Sequence, residues 1–384
     1  MNVDLARMVG ACRWVPAFLL VVLCGGLATS CAGNGNGGGS VPAVDPCAAG
    51  MAKDDSLRVL STTGQIGSVV DLILGLEQIP DGLWDPDTLA ERTGVVVLAS
   101  IDVGTEPSSA VMVRPSIAVE THTMLGPGVD PHLYVPTLGD AEEFNQADVI
   151  FYNGLHLEAQ MLGALKELSG SRCVIALGDL LYEDENLVDR FIHTDEGLVD
   201  PHIWNHPELW SLATVRMAQV LEGMYAGPVP EFAANAEKVV ERIALAGSLI
   251  AELYAGERIP VRYLVTAHDA FGYFTAVTNL ENIGLQGLST ESEASVYDIQ
   301  QIAETIVAHR IPAMFVESSV STDAVAAVRE AVRARGWDVR LGGELYSDAL
   351  GPQGSVGETY LGMLQHNAVT IYLALAEPIP EDGN

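Results

Sequence analysis

The sequence predicts an α/β protein of two lobes, each with a central, mostly parallel sheet flanked by helices, joined by one long helix. Three observations predict this fold class. The chain has 384 residues, of which 48% are hydrophobic, enough for two domains of ordinary size and a large core. Short apolar segments alternate with helical periodicity, which is typical of parallel sheets with helices on both faces. One helical pattern near the middle is as long as a domain is wide.

Strand candidates recur in both parts of the chain. Each is a short apolar run, and they lie at 57–62, 117–125, 148–152, 173–177, 262–266, 313–316 and 338–341. Helical periodicity falls between them, for example at 66–76, 297–309 and 322–335. Because helices separate successive strands, we expect the strands of each lobe to pair in parallel.

The longest helical pattern covers residues 230–256. Pro230 opens it, Gly256 closes it, and its apolar residues fall on one face at helical spacing. A helix of about 25 residues is roughly 38 Å long, so we expect it to run from one lobe to the other. This predicts an N-terminal lobe at 51–228, a connecting helix at 229–257 and a C-terminal lobe at 258–384.

One segment of the N-terminal lobe, at 77–115, departs from the alternation of strands and helices. It contains several prolines and glycines and a single apolar run at 94–101. Proline and glycine favour turns over regular elements. We therefore expect an insertion here, folded as a loop or a hairpin.

The N-terminus resembles an export signal. Arg7 and Arg13 precede an apolar run that ends in Leu-Ala-Thr-Ser-Cys at 27–31, and the run is too short for a stable membrane span. Small residues before Cys31 resemble a bacterial lipobox, although Ala28 stands where leucine is more usual. We expect a signal peptide at 1–30, a lipid on Cys31 and a flexible linker at 31–50. The alternative is a plain secretory signal with an incidental cysteine.

Export changes how the other cysteines are interpreted. Cys12 and Cys24 would leave with the signal, so Cys47 and Cys173 would remain as thiols. Two thiols in an oxidising compartment favour a disulfide between them. A metal site built from both is disfavoured, because neither belongs to a closely spaced cysteine pair.

The net charge is −32, from 51 acidic and 19 basic residues. This balance argues against nucleic acid, which is bound through Lys and Arg contacts to phosphate, and against peripheral binding to anionic lipid. The carboxylates predict a well-solvated surface. They would also enrich cations near a binding cleft, and the two interpretations are compatible.

The sequence Asp-Pro-His occurs twice, at 130–132 and at 200–202, each time close to an aromatic residue. Proline fixes its own φ and favours an extended conformation in the residue before it. The histidine that follows is therefore presented from a stiffened turn, which lowers the entropy lost when it binds a metal. We predict that His132 and His202 are metal ligands, with Asp130 and Asp200 as turn-formers.

Two further candidate ligands follow strands of the C-terminal lobe. His268 comes directly after the strand predicted at 262–266, and Asp348 lies beyond the strand at 338–341. Ligands of open α/β sheets bind at the carboxyl ends of strands. Three imidazoles and a carboxylate suit four-coordinate Zn²⁺, and a bidentate carboxylate would also suit Mn²⁺. The sequence therefore predicts one Zn²⁺ or Mn²⁺ per chain.

Four residues are predicted to surround these ligands. Glu317, at another strand end, is expected to support a ligand from behind, and His156, Tyr134 and Trp204 are expected to border the cleft. The remaining histidines have no comparable context and are assigned to the surface or the core: His122, His193, His206, His309 and His366.

Several of these segments resemble one family, the substrate-binding proteins of bacterial ABC importers for zinc and manganese (the cluster A-I family). The matching segments lie at 62–66, 126–134, 147–158, 200–204, 266–274, 287–295 and 357–363. The resemblance implies two α/β lobes joined by one long rigid helix, with the metal between them. It also implies that His132, His202, His268 and Asp348 are the ligands, and that the partner is an importer permease.

The resemblance further implies a protein outside the cytoplasm, anchored to the membrane by its lipid and monomeric. His268 stands where the most manganese-selective members often carry glutamate, so we expect zinc first and manganese second. Two alternatives remain open. One is a surface adhesin or metal buffer on the same scaffold. The other is a zinc hydrolase, which is disfavoured because four protein ligands would leave no open coordination position. We therefore expect no enzymatic activity.

Overall fold

The computed structural model describes residues 47, 56–95, 111–194, 197–225 and 228–376. The predicted signal peptide at 1–30, Cys31 and most of the linker at 31–50 lie outside the described residues, as does much of the apolar run at 94–101. Among the helices that the structure describes, none combines the length and the apolar character of a membrane span.

The N-terminal lobe contains one four-stranded parallel sheet, in the order β2-β1-β3-β4. Its strands are β1 (Leu57–Ser61), β2 (Val119–Thr123), β3 (Val149–Tyr152) and β4 (Cys173–Ala176). Its helices are α1 (Gly64–Ile73), α2 (Pro86–Thr93), α3 (Leu138–Gln146), α4 (Leu162–Leu168), α5 (Leu177–Tyr182) and α6 (Pro207–Gly223). In the pairing register, Leu60 of the central strand β1 lies between His122 and Ile150.

The C-terminal lobe contains two parallel strand pairs that lie side by side. β5 (Tyr263–His268) pairs with β6 (Glu281–Gln286), β7 (Ala313–Glu317) pairs with β8 (Arg340–Leu345), and β5 lies beside β7. The helices are α8 (Gly272–Thr278), α9 (Val296–His309), α10 (Asp323–Arg333) and α11 (Tyr360–Ala376). The predicted α/β class with parallel sheets is therefore confirmed.

A single helix, α7 (Pro230–Ala255), lies between the two lobes in the chain and packs against both. Its 26 residues make it roughly 39 Å long, and it begins at a proline, which fits the first helical turn because its missing N–H is not needed there. It contacts α1 and α6 of the N-terminal lobe and α8 and α11 of the C-terminal lobe. One large apolar cluster includes residues of both lobes, and each lobe has a smaller cluster of its own.

Two elements were not predicted. β6 carries Glu281, Asn282, Gly284 and Gln286, so its polar sequence does not stand out as an apolar segment. The segment 77–115, expected to be a loop or a hairpin, contains helix α2. Asp85 caps that helix by accepting a hydrogen bond from the Thr88 amide (2.8 Å), and its proline stands at the first helical position, where proline is favoured.

A disulfide joins Cys47 to Cys173. Cys173 is the first residue of β4, which forms one edge of the N-terminal sheet. The bond closes a chain segment with a sequence separation of 126 residues. A cross-link over so long a loop restricts the unfolded chain strongly.

Replacing both cysteines, Cys47→Ala with Cys173→Ala, should lower the free energy of unfolding by about 2–4 kcal/mol, as measured by urea denaturation. Wild-type protein unfolded in the presence of a reductant serves as the control and should match the double variant. Equal stability of the variant and the oxidised wild type would show that the cross-link does not stabilise the fold.

Candidate metal centre

The two Asp-Pro-His segments fold into the same kind of turn. The His132 amide donates to Oδ1 of Asp130 (2.8 Å), and the His202 amide donates to Oδ1 of Asp200 (2.9 Å). In each turn the aspartate side chain therefore hydrogen-bonds its own backbone two residues further on. This fixes the direction in which the histidine leaves the turn.

The other two candidate ligands come from strand ends of the C-terminal lobe. His268 is the last residue of β5, and its amide donates to Oε1 of Glu317 (2.9 Å) at the end of β7. Asp348 lies three residues beyond β8. The carbonyl oxygen of Ser347, next to Asp348, accepts hydrogen bonds from Gln65 and Trp204 of the N-terminal lobe (3.0 Å each). Both lobes thus position the Asp348 loop.

The structure brings His132, His202, His268 and Asp348 into one buried group. Each offers one ligand atom, and these atoms all lie within 4.8 Å of one another. Oδ2 of Asp348 lies 3.2 Å from Nε2 of His268 and 3.8 Å from Nε2 of His132, and Oδ1 lies 3.5 Å from Nε2 of His202. Three imidazole nitrogens and one carboxylate converging on a common point suit a four-coordinate ion.

Two of the three imidazoles have a carboxylate behind them. Nδ1 of His202 lies 2.7 Å from Oδ1 of Asp200, and Nδ1 of His268 lies 2.6 Å from Oε2 of Glu317. A proton held on Nδ1 by a carboxylate leaves the lone pair of Nε2 free to bind a metal. Within the described part of the chain, no carboxylate lies at ion-pair distance from Nδ1 of His132.

Several polar atoms at the centre of the group are buried without a hydrogen-bond partner among the described residues. They are Nε2 of His132 and both carboxylate oxygens of Asp348. A buried polar atom left unpaired is destabilising by about 1–3 kcal/mol. A cation bound at the point where these atoms converge would satisfy all three.

The electrostatics differ among the histidines. Burial lowers the pKa of His132 to about 3 despite the neighbouring Asp348, so His132 is neutral at physiological pH. Burial alone would also lower the pKa of His268, but the carboxylates of Asp348 and Glu317 raise it well above its ordinary value. Burial would raise the pKa of Asp348, yet the nearby imidazoles, His268 foremost, hold it well below its ordinary value.

The residues predicted to surround the ligands lie in different places. Glu317 contacts His268 as described, and the Trp204 ring centroid lies 5.3 Å from that of His202. The Tyr134 hydroxyl donates to Asp140 at the start of α3 (2.7 Å). His156 is exposed, with a φ of 66°, and does not belong to the group of four.

One supporting residue, Glu158, was not predicted. Its buried carboxylate accepts hydrogen bonds from the Thr62 hydroxyl (2.7 Å) and from the amides of Asn153 (2.8 Å) and Gly154 (3.1 Å). The Asn153 side chain in turn donates to the carbonyl oxygen of Pro201 (2.9 Å). Glu158 therefore supports the turn that presents His202. The only sequence signal was the Asn-Gly pair, which indicates a turn but not its buried acceptor.

The profile of the family described as ZnuA, zinc-uptake complex component A, periplasmic, matches residues 97–374. The chain belongs to this family. The zinc-binding protein TroA of Treponema pallidum (strain Nichols) is 42% identical over 256 residues, which are 66% of this chain and 80% of TroA. The manganese-binding lipoprotein MntA of Bacillus subtilis (strain 168) is 36% identical over 262 residues, 67% of this chain and 83% of MntA.

Solved structures agree with this assignment. The periplasmic zinc-binding protein TroA of Treponema pallidum superposes with a TM-score of 0.68 at 35% identity, covering 84% of this chain and 100% of that chain. Fe(III)-bound YtgA of Chlamydia trachomatis superposes with a TM-score of 0.64 at 26% identity, over 85% of this chain and 100% of that one. The predicted family, the two-lobed fold and the role as a metal-binding transport component rather than an enzyme are confirmed.

Metal binding at pH 7 should release a proton from His268. Because the pKa of His268 is raised in the metal-free site, the imidazole carries a proton at neutral pH that an incoming cation displaces, so affinity should increase as pH rises towards that pKa. Calorimetry in two buffers of different ionisation enthalpy measures the proton release. Glu317→Gln, which removes one of the two carboxylates, should reduce the release, and a binding enthalpy independent of the buffer would contradict the assignment.

Proposed function

We propose that this protein captures one Zn²⁺ or Mn²⁺ outside the cytoplasm with His132, His202, His268 and Asp348, and delivers it to the permease of an ABC importer. The convergence of four buried ligand atoms within 4.8 Å is the observation that carries the proposal. Family membership supports it, because the matching profile is that of the periplasmic component of a zinc-uptake complex.

Zinc is the first choice of cargo and manganese the second. Three imidazoles and a monodentate carboxylate complete the tetrahedral shell that Zn²⁺ prefers. Both oxygens of Asp348 lie within 4 Å of an imidazole of the group, so bidentate binding would add a fifth ligand atom, which suits Mn²⁺. The relatives support both ions, since TroA is named for zinc and MntA for manganese.

The proposal includes a lipid anchor on Cys31 after removal of a signal peptide at 1–30, and a tether at 31–50. Support comes from the Leu-Ala-Thr-Ser-Cys segment at 27–31 and from the relatives MntA and SsaB of Streptococcus sanguinis, which are named lipoproteins. The lobes would then span 51–228 and 258–384 around a connecting helix at 229–257, and the protein would act as a monomer that binds no nucleic acid.

Asp348→Asn and His132→Ala should each weaken Zn²⁺ binding by more than about a hundredfold. Loss of a residue that merely supports a ligand already weakens binding by about 10- to 100-fold, and these changes remove a ligand itself. Isothermal titration against a competing chelator measures the affinity. His309→Ala is the matched control, because His309 is exposed on α9 and packs against Tyr263. Wild-type affinity in either ligand variant would refute the site.

Protein extracted from membranes should begin at Cys31 carrying a diacylglyceryl group, as measured by mass spectrometry of the N-terminal peptide. Cys31→Ser should release the protein from the membrane fraction, whereas Cys24→Ser, within the predicted signal, should leave it anchored. An N-terminus at another residue, or an unmodified Cys31, would exclude the lipid anchor while leaving the metal site untouched.

A further inference from the structure

His132 is held differently from the other two imidazoles. His202 and His268 each have a carboxylate against Nδ1, so their rings are oriented directly. His132 is positioned through its backbone, by the Asp130 carboxylate in the turn before it. The position of this imidazole therefore depends on what holds the turn.

The turn that carries His132 is attached to the opposite lobe. Oδ2 of Asp130, the oxygen that does not cap the turn, accepts a hydrogen bond from the Thr290 hydroxyl (2.5 Å), 160 residues further along the chain. Thr290 is buried and follows β6 in the C-terminal lobe. One carboxylate thus links the backbone of His132 to the C-terminal lobe.

The aspartate of the second turn, Asp200, makes no such hydrogen bond to the C-terminal lobe through its described side-chain contacts. In Asp200, Oδ1 contacts both the amide and Nδ1 of His202, while Oδ2 has no hydrogen-bond partner among the described residues. The two Asp-Pro-His segments therefore use their aspartates differently. Asp200 orients the His202 imidazole, whereas Asp130 hydrogen-bonds to the C-terminal lobe.

Two neighbouring contacts also join the lobes, one from the same turn and one from the segment after β3. Gly128 has a φ of 75°, and a Cβ at this position would lie 3.3 Å from the carbonyl oxygen of Ser318. The Gln160 side chain donates to Glu291 (2.8 Å), next to Thr290, but both residues are exposed, so water competes with this bond. The Asp130–Thr290 hydrogen bond is partly buried, with its donor Thr290 buried, and is therefore better shielded from water.

We propose that the Asp130–Thr290 hydrogen bond is a positioning contact that holds His132 in the metal site and limits the rate at which the bound ion leaves. This inference rests on the proposed metal-binding function. When the turn at 126–134 moves away from the C-terminal lobe, the bond breaks and the turn loses its attachment. His132, whose Nδ1 has no carboxylate at ion-pair distance among the described residues, is then the first imidazole to withdraw.

The test compares Thr290→Val, which keeps the shape of the side chain but removes the hydroxyl, with Thr290→Ser, which keeps the hydroxyl. Zn²⁺ dissociation is followed by stopped-flow mixing with excess chelator, and association is measured separately. Thr290→Val should accelerate dissociation by about 10- to 100-fold, the range expected for a hydrogen bond to a charged group. Association should change by less than about threefold, and Thr290→Ser should behave as wild type.

Thr305→Val is the control for loss of a threonine hydroxyl elsewhere, because the Thr305 hydroxyl donates to the Gln301 carbonyl within α9. Thr290→Ala provides a second variant without the hydroxyl and should match Thr290→Val. Circular dichroism establishes that each variant is folded.

Wild-type dissociation in Thr290→Val and Thr290→Ala would overturn the positioning role, and so would equally fast dissociation in Thr290→Ser. If His132→Ala loses binding while Thr290→Val does not change the rate, the proposed function stands and the positioning role is wrong. If wild-type protein binds neither Zn²⁺ nor Mn²⁺, the proposed function itself fails and this inference fails with it.

Discussion

The buried carboxylate of Asp348 is the constraint on which the site depends. Burial of an isolated charge is strongly unfavourable, and such a charge persists only when it is paired or bound to a metal. Here three imidazole nitrogens lie within 3.8 Å of its two oxygens. In the metal-free site the proton on His268 provides the compensating positive charge, and a bound cation would take over that role. Binding of a divalent ion therefore replaces one positive charge beside the carboxylate by two.

The fold supplies this arrangement through strand ends and two rigid turns. β5 and β7 end side by side at His268 and Glu317, as the carboxyl ends of parallel strands do in open α/β sheets. The Asp348 loop is then tied to the N-terminal lobe through Ser347. Because one apolar cluster runs through both lobes along α7, a large separation of the lobes would expose much apolar surface. Local movement of the turn at 126–134 avoids that exposure, which is why we place the release of the ion there.

Much of the fold could be predicted from the sequence, because most strands fall in short, largely apolar segments and α7 has an unbroken apolar face. β6 could not be predicted in this way, because its polar residues resemble a loop. The prolines and glycines of 77–115 predict a loop or a hairpin, but Pro86 occupies the first position of α2, where proline is favoured. His132 and His202 could be predicted as ligands because each ends an Asp-Pro-His segment, and the proline and aspartate of that segment fix the turn locally. The prediction that Asp348 is a ligand depended on the family resemblance, because contacts from the other lobe fix the position of its loop. Glu158 and Thr290 act through contacts between segments that are distant in sequence, and no local pattern indicates them.

The proposed function depends on one ion binding to His132, His202, His268 and Asp348. The most direct test is a crystal structure of the zinc-loaded protein with anomalous diffraction data collected on both sides of the zinc absorption edge. One strong anomalous peak per chain is expected, about 2.0–2.2 Å from three imidazole nitrogens and a carboxylate oxygen, with Nδ1 of His268 still against Glu317. A peak bound by other residues, or a peak that lacks any of these four ligands, would contradict it.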